Sequence, residues 1–320
     1  MKLFITGGAG FVGRELIKQL LTQDLDVIAS VRADNSVLPV GVQRFVAGDF
    51  SEPINCSSVL SAVDVVIHTA ARAHVMNDVA IDPLTEFRKV NVLATLCLAK
   101  QAAEVGVKRF VFISSIGVNG NNNILPFGES DSPNPQEPYA VSKYEAEEGL
   151  LALAKTTGME VVIIRPPLVY GPNAPGNFGS LVKWMRKSIP LPFGSIHNQR
   201  SLVALDNLVD FIAFCADRKK SAKAENQVFL ISDGEDVSTT ERLQKVAKAF
   251  GKKALLLPVP VSLMILAAKL LGKGDVANRL FGSLQVDSSK ARDLLGWKPV
   301  ATMDEQLLKI AKAQKINVNV

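Results

Sequence analysis

Six short runs of nearly unbroken Val, Ile, Leu and Phe recur along the first half of this chain. They are Lys2 to Thr6, Val27 to Val31, Arg44 to Ala47, Val65 to Ile67, Phe110 to Ile113 and Val161 to Ile164. A strand with one face in water alternates apolar and polar residues; these runs do not, so both of their faces must be covered. The segments between them have helical spacing, as at Val12, Leu16, Leu20 and Leu21, or over Leu84 to Val105 and Tyr139 to Lys155. Strand and helix in alternation predict an α/β fold, a doubly wound parallel sheet with helices on both sides. At 320 residues the chain passes the roughly 250 to 300 at which one core stops growing, so a smaller second lobe is expected. Prolines and glycines crowd together from Pro166 to Gly179 and the alternation loosens, which places the start of that lobe there.

Composition narrows the class of function. Hydrophobic residues make up 48% and charged residues 21%, which excludes a disordered or fibrous chain. Lysine and arginine outnumber the acids by 36 to 31, a net +5 without any block of five or six like charges. That balance suits an anionic small molecule and does not suit nucleic acid, which calls for a clustered basic patch. Cys56, Cys97 and Cys215 lie far apart, so no disulfide framework is expected, and His68, His74 and His197 have no metal-ligand spacing. Glycines interrupt the N-terminal apolar run before a signal sequence could form, and a cytoplasmic protein is expected. The most apolar stretch elsewhere, Val259 to Leu271, contains Pro260, Ser262 and Lys269 and is shorter than the roughly 20 residues of a membrane span. It reads as a helix of the second lobe.

Gly7, Gly10 and Gly13 stand between the first strand and the first helix, where the free amides and positive end of the helix can hold a pyrophosphate. Their GxxGxxG spacing departs from the GxGxxG of the dinucleotide fingerprint, and a turn that serves packing alone is the bland alternative. An acid at the end of the second strand would accept hydrogen bonds from the ribose hydroxyls of NAD. Val31 and then Arg32 occupy that place. A guanidinium can pair with the 2′-phosphate of NADP, so NADP is favoured; Asp34 in the following loop keeps NAD open.

Tyr139 and Lys143 follow Pro138, a residue suited to a helix's first turn. Four residues apart, they share a face. Lowering a phenol from about 10 to about 7 requires roughly 4 kcal/mol, which a charge about 4 Å away at an effective dielectric near 20 supplies. Tyr139 could then exchange a proton with a substrate hydroxyl as a hydride moves. Ser114 and Ser115 end the fifth apolar run, a position that faces the ligand crevice of a parallel sheet, and Ser115 could orient the same oxygen. Alone, each of these could be an ordinary helix or turn.

The motifs TGGAGFVG (6–13), GDF (48–50), HTAA (68–71), SSIGVNG (114–120), YAVSK (139–143), RPPLVYGP (165–172) and SSKARDLLGWKP (288–299), with Asn91, resemble the extended short-chain dehydrogenase/reductase family. The likeness is greatest to its nucleotide-sugar epimerases and reductases. The resemblance implies a Rossmann domain over 1–165, completed by about 198–234, with a nucleotide-sugar lobe over 166–197 and 235–320. It implies that Phe11 and Val12 approach the pyrophosphate, that Asp49 and Phe50 hold the adenine, and that Ala70, Ala71 and Asn91 line the cofactor. Ser115, Tyr139 and Lys143 are implied as catalytic, with Lys143 also bonding the nicotinamide ribose. Asn177 and Arg200, and less directly Arg279, are implied at the substrate diphosphate.

Ile116 and Gly117 stand where the family's 4,6-dehydratases carry an Asp-Glu pair, so a dehydratase is not expected. Asn119 replaces the usual Tyr of a VYG motif. The resulting expectation is hydride transfer at C4 of a UDP-hexose, in a subgroup of surface-polysaccharide pathways whose members commonly form homodimers. Arg32 tilts the choice toward a 4-keto-sugar reductase that uses exchangeable NADPH; a 4-epimerase that retains NAD is the alternative. A non-catalytic sensor, or a dehydrogenase for steroids or other apolar alcohols suggested by Val259 to Leu271, is a further alternative.

Overall fold

The computed structural model of the chain describes residues 1–73, 82–175, 178–179, 184–185, 189–272 and 274–316, except for the side chains of 275, 276, 278, 279, 315 and 316. Its strands are β1 (Lys2–Thr6), β2 (Asp26–Val31), β3 (Gln43–Val46), β4 (Val65–His68), β5 (Arg109–Ile113), β6 (Glu160–Arg165), β7 (Leu168–Tyr170), β8 (Arg200–Ala204), β9 (Gln227–Leu230) and β10 (Asp236–Val237). Seven of them form a parallel sheet in the order β3-β2-β1-β4-β5-β6-β9. Leu3 lies opposite Val27 on one side and Val65 on the other, which fixes the register at the centre. The chain runs outward from β1 to β3 and then crosses back to β4. The carboxyl ends of β1 and β4 therefore part around a crevice, where ligands bind in sheets of this kind.

The helices are α1 (Phe11–Leu21), α2 (Ser57–Leu60), α3 (Pro83–Arg88), α4 (Thr95–Glu104), α5 (Pro138–Thr157), α6 (Leu205–Ala216), α7 (Thr239–Ala249), α8 (Val261–Leu270), α9 (Gly274–Phe281), α10 (Ser289–Leu295) and α11 (Met303–Ile316). Consecutive strand residues feed two different cores. Leu3, Ile5, Val65, Ile67 and Val111 pack with α1 and α6, while Phe4, Val66, Phe110 and Phe112 pack with α4 and α5. Each such side chain contributes about 1.5–3 kcal/mol by burial, which is why the runs are continuous. β3 differs: it is the sheet edge, and Gln43, Arg44 and Val46 are exposed, so this run is covered only in part.

Leu84 to Val105, read as one helix from its spacing, is three pieces. A π-helical stretch, Lys89–Ala94, separates α3 from α4. Beyond β6, a second sheet of order β10-β8-β7 packs its apolar face, including Tyr170, Leu202 and Val237, against Leu243 and Val246 of α7 and Met303, Leu307 and Ile310 of α11. α8 has no buried residue and packs on α9. Among the described residues no helix is long and apolar enough to cross a membrane.

Candidate active site

β1 ends at a turn that only glycine can make so tightly. Gly7 has φ +69° and accepts a 2.8 Å hydrogen bond from the Gly10 amide. A Cβ at Gly13 would stand 2.3 Å from the Gly7 carbonyl oxygen, and one at Gly7 would meet the Ala70 amide at 2.9 Å. The turn is thus pressed onto both the start of α1 and the end of β4. Gly10 caps α1 without a side chain and the first turn holds no acid, so the amides near Phe11 and Val12 meet no carboxylate there. A pyrophosphate could rest on this turn, whose close backbone packing a Cβ at Gly7 or Gly13 would break.

His68 locks β4 beside it. Its ring nitrogens lie 2.7 Å from Thr6 Oγ1 and 2.9 Å from Thr95 Oγ1, and the Ala70 amide donates to Thr6 Oγ1 at 3.2 Å. Complete burial, with the Lys143 charge adding to it, pushes His68 down to about 3, so the imidazole is neutral. Phe50 lies 5.9 Å from its ring. Asn91, fully buried in the π-helical stretch, accepts from the Arg72 amide at 2.9 Å and donates to the Arg72 carbonyl at 3.1 Å and to Ser142 Oγ at 3.0 Å. Ser142 in turn donates to the Tyr139 carbonyl at 2.7 Å. One asparagine therefore ties the loop after Ala70 and Ala71 to the first turn of α5.

Ser115 caps a short 3-10 turn, Ile116–Val118, and accepts from the Gly117 amide at 3.1 Å. A Cβ on Gly117 would lie 3.2 Å from Ala140 Cβ, so this turn rests directly against the start of α5. Tyr139 sits there, partly buried, with its ring edge-on to Phe87 at 6.0 Å. Lys143, one turn on and 1% exposed, donates to the Ile113 carbonyl at 2.8 Å and lies over the Phe112 ring at 4.4 Å. The elements that carry Ser115, Tyr139 and Lys143 adjoin at this point. The proton affinities differ from the expectation: burial pushes Tyr139 up to about 12 and Lys143 down to about 7, with only the Glu147 charge opposing the latter. Lys143 alone does not bring the phenol near neutrality.

Beneath them runs a buried ionic network that the motifs did not reveal. Glu147 accepts from Ser114 Oγ and takes a forked pair of bonds from Arg165, whose Nη1 donates to Asn119 Oδ1 at 2.9 Å. Asn119, the residue that replaces the family's Tyr, is 2% exposed and serves this network.

At the outer end of the crevice, Arg32 lies 3.4 Å from Asp49, both exposed, and Asp34 is paired with Arg44 at 2.9 Å. Hydrogen bonds from the Ser51 amide and hydroxyl, with a smaller contribution from Arg32, hold Asp49 below the usual carboxylate range. Arg200 donates to the Gly282 carbonyl at 2.9 Å. Near it the structure brings a residue that the motifs missed: Arg242 of α7 is 6% exposed and its Nε has no hydrogen-bond partner among the described residues. Burial first, and the Arg200 charge second, lower it to about 10. Nothing in the local spacing marks it, because it follows an ordinary Ser238/Glu241 capping box. Asn177 lies outside the described residues; Arg279 falls in α9, but its side chain is not described.

The model of the NAD dependent epimerase/dehydratase family matches residues 3–232. A Vibrio cholerae protein named UDP-glucose 4-epimerase is 48% identical over 319 residues, covering 97% of this chain and 94% of that one. Among solved structures, the Thermotoga maritima UDP-glucose 4-epimerase with UDP-glucose aligns with a TM-score of 0.77 at 23% identity, over 99% of this chain and 100% of that one. The UDP-N-acetylglucosamine 4-epimerase of Bacillus cereus aligns with a TM-score of 0.80 at 20% identity, over 98% and 99%. At those identities the two structures speak for the fold.

Proposed function

Because the chain belongs to the NAD dependent epimerase/dehydratase family, and is an enzyme of the short-chain dehydrogenase/reductase type, we propose that it inverts C4 of a UDP-hexose, UDP-glucose or UDP-N-acetylglucosamine, with NAD as cofactor. The observation that carries this reading is the 48% identity to a UDP-glucose 4-epimerase along almost the whole chain. It displaces the preference for a 4-keto-sugar reductase, which rested on Arg32. That arginine faces Asp49 at 3.4 Å, so a 2′-phosphate brought to it would also meet a carboxylate. NAD, with free ribose hydroxyls, avoids that repulsion.

NAD, when bound, takes the C4 hydride and gives it back. Gly7, Gly10 and Gly13 would hold its pyrophosphate, Asp49 and Phe50 its adenine end, and Ala70, Ala71 and Asn91 its flank. Tyr139 takes the proton of the C4 hydroxyl and later returns it to the oxygen on the inverted carbon. Ser115 donates a hydrogen bond to the same oxygen and holds it within reach of the phenol. Lys143 supports the phenolate by its charge. On the sugar-nucleotide side, which we assign to the three-stranded sheet and the helices packed on it, Arg200 of β8 and Arg242 of α7 meet the diphosphate. Two neighbouring guanidiniums, one of them with a buried Nε that has no partner among the described residues, suit a dianion.

The test is purified protein with NAD and UDP-glucose or UDP-N-acetylglucosamine. The C4 epimer should appear with no net NADH, and Tyr139→Phe should abolish it. Absence of epimer together with stoichiometric NADPH oxidation by a UDP-4-keto sugar would overturn the reading in favour of a reductase.

A further inference from the structure

α8 is the wrong kind of helix to stand in water. Its sequence, VSLMILAAKL, is apolar all round, yet none of its residues is buried. Such a helix is normally covered by something. Here α9 takes one side, and the other side presents Leu263, Leu266, Ala267 and Leu270, one stripe at helical spacing, to the outside. Leu271 extends that stripe. Ahead of the helix, Leu256 turns inward against Leu191 while Leu255 and Leu257 point out. These six exposed leucines, 48% to 80% accessible, fall within 17 residues of sequence, Leu255 to Leu271.

The charged residues within this segment have one sign. From Gly251 to Gly272 the chain contains Lys252, Lys253 and Lys269 and no Asp or Glu; beyond it, Lys273 and Asp275 offset one another in sequence charge. An apolar stripe flanked by lysines matches an anionic bilayer, in which leucines enter the acyl boundary while ammonium groups meet lipid phosphates. A second copy of the chain matches poorly. A two-fold interface sets the same patch against itself, so lysine would face lysine with no acid in the segment to intervene. α8, at ten residues, is too short to span and suited to lie flat. We propose that α8 and the Leu255–Leu257 ledge are a membrane-surface docking site, which seats the protein on anionic lipid without crossing the bilayer. This rests on the lobe's surface and not on the epimerase reading. It also gives the apolar segment Val259 to Leu271 a role other than the binding of an apolar substrate.

The experiment is co-sedimentation of the full chain with phosphatidylcholine vesicles, with and without one-third phosphatidylglycerol. Binding should require phosphatidylglycerol, weaken as salt is raised, and fall about fivefold for Lys269→Gln. It should fall more than about tenfold for L263Q/L266Q/L270Q, in which only exposed side chains change. The circular dichroism and NAD binding of that variant should stay as in the parent, which separates lost docking from lost fold. Equal sedimentation with neutral and anionic vesicles, or none with either, overturns the proposal. So does a triple variant that keeps its vesicle binding but changes from dimer to monomer by light scattering, since the stripe is then an interface between copies.

Discussion

Lys143→Met tests whether the lysine acts through the proton affinity of Tyr139. The substitution keeps the stem and removes the charge. With Tyr139 near 12 and Lys143 near 7, moving the phenol's proton to the amine costs about five units, or ~7 kcal/mol. Attraction between the two ions, taken at a separation of about 5–6 Å and an effective dielectric of about 20, offsets ~3 kcal/mol of that. The reactive phenolate–ammonium form is then about one in several hundred of the pairs that have lost a single proton. Those pairs predominate once the pH passes the lower of the two affinities, about 7. The parent's kcat should therefore rise through about pH 7 and then stay flat.

In the variant the phenol must ionise alone, so its reactive fraction is about one in a hundred thousand at pH 7 and grows tenfold per unit. The deficit in kcat should be about a hundredfold at pH 7, about tenfold at pH 8 and within about twofold by pH 9. The charge of a bound nicotinamide lowers the phenol in both proteins and largely cancels in the ratio. The measurement is the rate of epimer formation at saturating NAD and UDP-sugar across that range. A deficit of the same size at every pH would falsify the electrostatic role and leave Lys143 as a residue that only holds the cofactor.

Gly13→Ala places a Cβ 2.3 Å from the Gly7 carbonyl oxygen, so the turn must open; calorimetry should show NAD binding weakened more than about tenfold, with about 1–3 kcal/mol of stability lost in urea. Unchanged NAD affinity would remove the glycine turn from the cofactor site. Arg242→Leu should raise KM for the UDP-sugar about tenfold or more with kcat little changed, and should stabilise the free protein by about 1–3 kcal/mol, because it removes a buried guanidinium whose Nε has no partner among the described residues; a fall in kcat at constant KM contradicts the diphosphate role. His68, near 3 when folded and near 6.5 when unfolded, binds its extra proton only in the unfolded chain, so stability must fall as pH drops below about 6.5. Between about pH 7 and pH 5 this amounts to ~2 kcal/mol, which His68→Gln should remove from the slope of unfolding free energy against pH; a variant with the parent's slope refutes it.

How far such a site can be read from sequence depends on whether the deciding contact is local. Leu3, Phe4 and Ile5 announce a strand covered on both faces because each faces one of two cores by its position alone. Tyr139 and Lys143 announce a shared face because helical spacing is local as well. Edge position is not local, which is why Arg44 to Ala47 reads as a covered strand while the observed β3, Gln43–Val46, is half in water. Charge state is less local still. Lys143 donates its hydrogen bond to the Ile113 carbonyl on a different element, and its depressed affinity comes from burial that no spacing records. Arg32 is the sharpest case. In sequence it is a lone cation at the end of β2, well placed for a 2′-phosphate. In the fold, the parallel pairing of β2 with β3 runs both strands toward the same edge of the crevice and sets Asp49, just beyond β3, 3.4 Å from it. The same guanidinium favours a phosphate when alone and is partly neutralised beside a carboxylate. Choice between NADP and NAD in this fold therefore turns on a strand pairing as much as on the residue that ends the second strand.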